Sequence, residues 1–210
     1  MNFKAVIFDL DGLLIDSEPV WDKADDLFLQ GKYTVDIREK IMGMGQEGTI
    51  ELFKKEAGLK GDTGELIEKR RKLLLSLLMK DLKLFAGVKE LLEALKEKQC
   101  LMAIATGGYS KSKTEEILTD VGIRNYFLVV ISGDEVKRGK PFPDIFLQAA
   151  IELGVNPQDC LVLEDALNGI EAAKRAGMTA YGVNSDEEIL KKLKQRGADQ
   201  VFSNLAEVQL

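Results

Sequence analysis

KAVIFDLDG, Lys4 to Gly12, decides how the rest of this 210-residue chain is read. Ala5 to Phe8 is a short apolar run with β-branched residues, charge before it and Gly12 after it. That pattern predicts a strand buried on both faces. Asp9 and Asp11 stand where such a strand hands over to a loop, at the sheet edge where open α/β proteins bind their ligands. Two carboxylates there point to a cation. Asp and Gly are also ordinary turn residues, and on this stretch alone both readings stay open. An EF-hand calcium loop is excluded, because it needs Gly at its sixth position and Glu at its twelfth, and counting from Asp9 those residues are Leu14 and Val20.

With 45% hydrophobic residues, the chain has enough apolar material for a full core and room for one domain or one domain with a sizeable insertion. A net charge of −6 with scattered basic residues argues against nucleic acid or an anionic membrane as partner. Cys100 and Cys160 each open an apolar run and read as reduced, buried thiols. There is no histidine, so no cysteine-histidine zinc set is available and proton transfer must fall to carboxylate, lysine, tyrosine or water. The N-terminus does not read as a signal peptide, and Leu73 to Met79 is far short of the roughly 18 apolar residues of a membrane span. A cytoplasmic protein is expected.

Asp16 to Asp81 changes character: helical periodicity dominates, which predicts an inserted helical domain over residues 16–81. Its first helix is expected at Pro19, with Asp16 or Ser17 as cap, and further helices over Asp36 to Met42, Thr49 to Ala57 and Gly64 to Met79. The basic run Lys69 to Lys72 reads as a solvated helix face. Gly43, Gly45 and Gly48 spell the dinucleotide fingerprint, but they follow a charged helix-like segment and not a strand, so they are expected as loop glycines. From Leu82 onward helix and strand alternate regularly. This predicts an α/β core, residues 1–15 and 82–210, built on a doubly wound parallel sheet.

In that architecture each of several strands ends on a polar feature. The first carries Asp9 and Asp11. LMAIA ends in Thr106-Gly107-Gly108, a hydroxyl and two glycines before a helix, suited to an anion. LVVIS is followed by GDEVKRGKPFPD, in which Lys140 is the candidate cation, and CLVLE ends in Glu164-Asp165. Taken singly, Thr106 and the acidic pair could be helix caps and Lys140 a surface lysine. Taken together they match phosphate chemistry at a magnesium ion, which needs oxygen ligands, phosphoryl-oxygen donors and a positive charge.

FDLDGLLIDSEP, ATGG, GKPFPDIF and LEDALNGIEAAKRAG occur in the order and approximate spacing of one family, and across essentially its whole length the chain resembles the haloacid dehalogenase-like hydrolases. Within them it is most similar to the branch of small-molecule phosphatases and β-phosphoglucomutase-like enzymes with a helical cap. The resemblance implies a magnesium-dependent phosphatase of a small phosphorylated metabolite, a sugar phosphate or similar polyol, with the cap closing over the substrate. It implies Asp9 as nucleophile and Asp11 as general acid and base. Thr106, Gly107, Gly108 and Lys140 would hold the phosphate, and Lys140 would balance its charge. Asp9, Asp11, Asp165 and Glu164 would form the Mg2+ site, Glu164 either directly or through water.

The chain departs from the family at several points. Gly107 and Gly108 replace a second serine or asparagine, and Ala166 stands where a serine often follows the acidic pair. The missing histidine weighs against a mutase, and Asp11 weighs against dehalogenation. The rivals are a phosphomutase, a receiver-like module in which phosphoaspartate is a switch, and a non-catalytic magnesium scaffold. Specificity is expected from the cap and its neighbours, around Trp21, Gly43 to Gln46 and Tyr109, with Trp21 reading as packing.

Overall fold

In the computed structural model, which describes residues 3–41, 46–78 and 82–208, the strand Ala5–Phe8 (β1) lies inside a sheet and none of its side chains reaches solvent. After it come the helices Glu18–Phe28 (α1), Val35–Ile41 (α2), Gln46–Ala57 (α3) and Thr63–Leu78 (α4). An alternation follows: Val88–Glu97 (α5), Leu101–Thr106 (β2), Lys111–Asp120 (α6), Val129–Ser132 (β3) and Asp144–Leu153 (α7). It continues through Cys160–Glu164 (β4), Leu167–Arg175 (α8), Thr179–Val183 (β5), Glu187–Gln195 (α9) and Gln200–Phe202 (β6).

The six strands form one sheet in the order β3-β2-β1-β4-β5-β6, with every pairing parallel. Parallel neighbours require crossovers, and the helices supply them. Ala5 is paired with Leu101 of β2 on one side and Cys160 of β4 on the other, so the strand order reverses around β1. The C-terminal end of β1 is therefore a topological switch point, where side chains from the neighbouring strand ends converge. β4 runs one residue past its apolar run, because Glu164 pairs with Gly182. Ala5, Ile7, Ala103, Ile131, Phe146 and Ile170 belong to one buried cluster that seats helices against the sheet. Cys100 and Cys160 are buried and free, and burial pushes both thiols up to about 11.

The contacts divide the chain into two compact units, Met1–Asp16 with Lys83–Leu210, and Ser17–Leu82. The second has its own core of Leu29, Ile37, Ile50, Phe53 and Leu66. Three expectations change here. Ser17, one of the two expected caps, does take the cap position of α1 but makes no side-chain cap bond; Pro19, at the second helical position, has no N–H to give it. Gly48 lies in the first turn of α3, not in a loop, because the helix begins at Gln46; Gly43 and Gly45 lie outside the described residues. Finally, the run Lys69 to Lys72 is not a solvated face throughout. Arg70 is 5% exposed and grips Asp25, 1% exposed, through Nε to Oδ1 at 2.6 Å and Nη2 to Oδ2 at 2.8 Å. Its Nη1 donates to Gln46, and its guanidinium lies 4.8 Å from the Trp21 ring centroid, so Trp21 packs on a buried cation. Among the described residues no helix is long and apolar enough to cross a membrane.

Candidate active site

β1 ends at Phe8, and the next residue, Asp9, continues the ladder by donating its backbone N–H to Leu163 of β4 at 3.0 Å. The Asp9 side chain is thus delivered, 6% exposed, to the switch point. On β4, Glu164 is the last strand residue, 1% exposed, and Asp165 follows it. One carboxylate oxygen from each of Asp9, Glu164 and Asp165 lies within 4.8 Å of the other two. Three acids this close repel one another and have little water to solvate them. Burial first, and then the charge of Glu164, pushes Asp9 up to about 7 against the pull of Lys140. Burial, with Glu164 and Asp9 adding to it, also holds Asp165 well above the usual carboxylate range.

Lys140 arrives from the loop between β3 and α7. Its Nζ donates to Asp9 Oδ1 at 2.5 Å and to Glu164 Oε2 at 2.8 Å, and lies 5.0 Å from the Phe146 ring centroid. Burial works against its charge, but Asp9 and Glu164 outweigh that and raise its pKa above the ordinary lysine value. One ammonium thus bonds two of the three clustered carboxylates. An all-oxygen, over-negative set of this kind fits a hard divalent cation of the Mg2+ type, which takes carboxylate ligands and relieves their repulsion. The carboxylate of Asp11 is not one of the three in this cluster. Its Oδ1 accepts from the hydroxyl of Tyr109 at 2.6 Å.

Thr106 closes β2 and is 1% exposed, at the same edge of the sheet. It is not the cap of α6; Ser110 takes that position. Gly108 gives its N–H to Thr106 Oγ1 at 3.3 Å. Gly107 is exposed, and a side chain there would meet no other atom within 4 Å. The acidic pair does not cap α8 as a side-chain cap would; Ala166 occupies the cap position, and Glu164 Oε1 accepts its backbone N–H at 3.2 Å.

Two features escaped the sequence reading. Tyr109, around which specificity is expected, turns inward, 2% exposed, and its bond to Asp11 has no signal in the sequence. The other is a set of glycines pressed against acids. A Cβ on Gly12 would lie 2.2 Å from Asp165 Oδ2, one on Gly108 2.7 Å from Asp11 Oδ2, and one on Gly169 1.9 Å from Glu164 Oε2. Gly12 also has φ +76°, a conformation other residues resist. The sequence offered a signal for this: Gly12 and Gly169 both lie inside the quoted motifs.

The sequence model described as haloacid dehalogenase-like hydrolase matches residues 6–183. A protein of Thermotoga maritima named phosphorylated carbohydrates phosphatase is 36% identical over 203 residues, covering 93% of this chain and 92% of its own length. The β-phosphoglucomutase of Bacillus subtilis is 32% identical over 224 residues, with 99% and 92% covered. Among solved structures, a family IA, variant 3 hydrolase of this type from Entamoeba histolytica superposes with a TM-score of 0.86 at 27% identity, covering 99% of this chain and 96% of that one.

Proposed function

Since the chain belongs to the haloacid dehalogenase-like hydrolase family, we propose that it is a phosphatase that hydrolyses a small phosphomonoester, a sugar phosphate or related polyol phosphate, through a phosphoaspartate on Asp9. The observation that carries this reading is the single ammonium of Lys140 bonded to both Asp9 and Glu164, with Asp165 alongside, at the sheet's switch point. A carboxylate approaches a phosphate dianion only if its charge is offset, and Lys140 does so at the attacking oxygen's own carboxylate.

Asp9 attacks phosphorus, the bond to the ester oxygen breaks, and Asp11 protonates the departing alkoxide. Asp11 then takes a proton from water, which attacks phosphorus and frees Asp9 and inorganic phosphate. The Thr106 hydroxyl donates to a phosphoryl oxygen. Asp9, Glu164 and Asp165 are the residues that would hold Mg2+, which when bound supplies positive charge at the phosphoryl oxygens. We assign substrate selection to the helical segment 16–81. A net charge of −6 supports a small metabolite over nucleic acid as partner, and two buried free thiols support a cytoplasmic location.

The test is release of inorganic phosphate from a panel of sugar and polyol phosphates, with Mg2+ and with chelator, for wild type and Asp9→Asn. Mg2+-dependent release by wild type and a loss of at least about 10⁴-fold in the variant are expected. Equal rates for the two proteins would end the covalent mechanism. The likeness to a β-phosphoglucomutase favours one rival: a sugar phosphate isomer formed without inorganic phosphate would make the chain a mutase.

A further inference from the structure

We infer that Tyr109 is a positioning residue for Asp11, fixing the carboxylate that passes protons to the leaving alkoxide and from water. The inference rests on the assignment of Asp11 as acid and base. Tyr109 follows the Thr106-Gly107-Gly108 loop and is 2% exposed, and a hydroxyl so placed needs an acceptor. Asp11 Oδ1 is that acceptor, at 2.6 Å, and a hydrogen bond to a carboxylate is stronger and more directional than one between neutral groups. The preceding residue acts on the other oxygen of the same carboxylate. A Cβ on Gly108 would stand 2.7 Å from Asp11 Oδ2 and 3.8 Å from Thr106 Oγ1.

Two consecutive residues of one loop therefore set the plane of the Asp11 carboxylate: Tyr109 by a bond, Gly108 by leaving room. Thr106, the proposed phosphate donor, ends the strand that leads into this loop, so phosphate donor and the residues that hold the proton carrier share one short frame. Proton transfer is sensitive to direction. When the bond from phosphorus to the ester oxygen breaks, the alkoxide takes its proton from Asp11, and a carboxylate turned out of plane delivers it poorly. Tyr109 itself neither gains nor loses an atom.

The experiment compares kcat/KM, which reports the first phosphoryl transfer, on two esters. Glycerol phosphate needs a proton for its alkoxide; p-nitrophenyl phosphate releases a stable phenolate and does not. Tyr109→Phe is expected to lower kcat/KM on the alkyl ester about tenfold and on the aryl ester less than about twofold. Gly108→Ala displaces the same carboxylate from its other side and is expected to give the same ester selectivity, which keeps the test independent of whether one variant folds poorly. In the Asp11→Asn background, Tyr109→Phe should cost nothing more. Equal losses on both esters, or a further loss in that background, would reduce Tyr109 to packing and overturn the inference. If Asp11→Asn itself hydrolysed the alkyl ester at the wild-type rate, the acid and base role of Asp11 would fall, and the inference with it.

Discussion

Arg70 with Asp25 in the helical unit, and Lys140 with Asp9, Glu164 and Asp165 in the α/β unit, are both ionic clusters withdrawn from water, and they are built to opposite rules. The first is closed. One guanidinium meets one carboxylate through two bonds, a third bond goes to Gln46, and the rings of Trp21 and Phe53 cover the cation. Burial lifts the Asp25 pKa while Arg70 pulls the other way, and the charges balance. The second is open in its charge count: among the described residues, one ammonium bonds two of three clustered acids. A balanced buried pair does the work of packing and orientation; an unbalanced one is what the proposed metal and phosphate chemistry would require.

The comparison breaks most visibly at Lys140. Lys140→Met removes the cluster's one fixed cation, and phosphate release at saturating Mg2+ is expected to fall about 10³-fold, equivalent to about 4 kcal/mol of barrier. Retention of full activity would mean that the ammonium is there for stability, as in the closed pair. Arg70→Met is the counterpart. It strands Asp25 and should cost about 3 to 5 kcal/mol in urea unfolding, most of which a second change, Asp25→Leu, restores by making the site apolar. If the double variant stayed as unstable as the single one, the pair would be more than a packing device.

The third prediction concerns pH. An acid raised to about 7 keeps its proton in the folded chain where the unfolded chain, titrating near 3.8, has lost it. Its stabilising contribution is full below 3.8 and is lost as pH climbs through about 7. In chelator, melting temperature should therefore decline across that window on account of the open cluster. Mg2+ at a hundredfold excess over its Kd should add about 2.7 kcal/mol at pH 8 and much less at pH 5.5, where protons compete with it. A Mg2+ effect independent of pH would separate the cation from these acids.

The sheet was legible because β-branched runs between turn residues have a local signature, and the acids were legible because they stand where those runs stop. Arg70 was misread as part of a solvated face. Its partner lies 45 residues away on another helix, and neither the basic run around Arg70 nor the sequence around Asp25 records that meeting. The contacts of Tyr109 and of the Gly108 amide were illegible for the same reason: a loop of hydroxyl and glycines predicts that an anion can be held, but which N–H turns toward Thr106 and which hydroxyl finds Asp11 is decided by tertiary closure.

The glycines beside the acids bear on any attempt to move this site elsewhere. Asp165, Asp11 and Glu164 occupy volume that a methyl group on Gly12, Gly108 or Gly169 would take. Copying the polar residues onto another sheet edge would therefore transfer the reagents without the mould. A graft that kept every acid and the lysine, but carried alanine at those three positions, would put carbon where oxygen has to be.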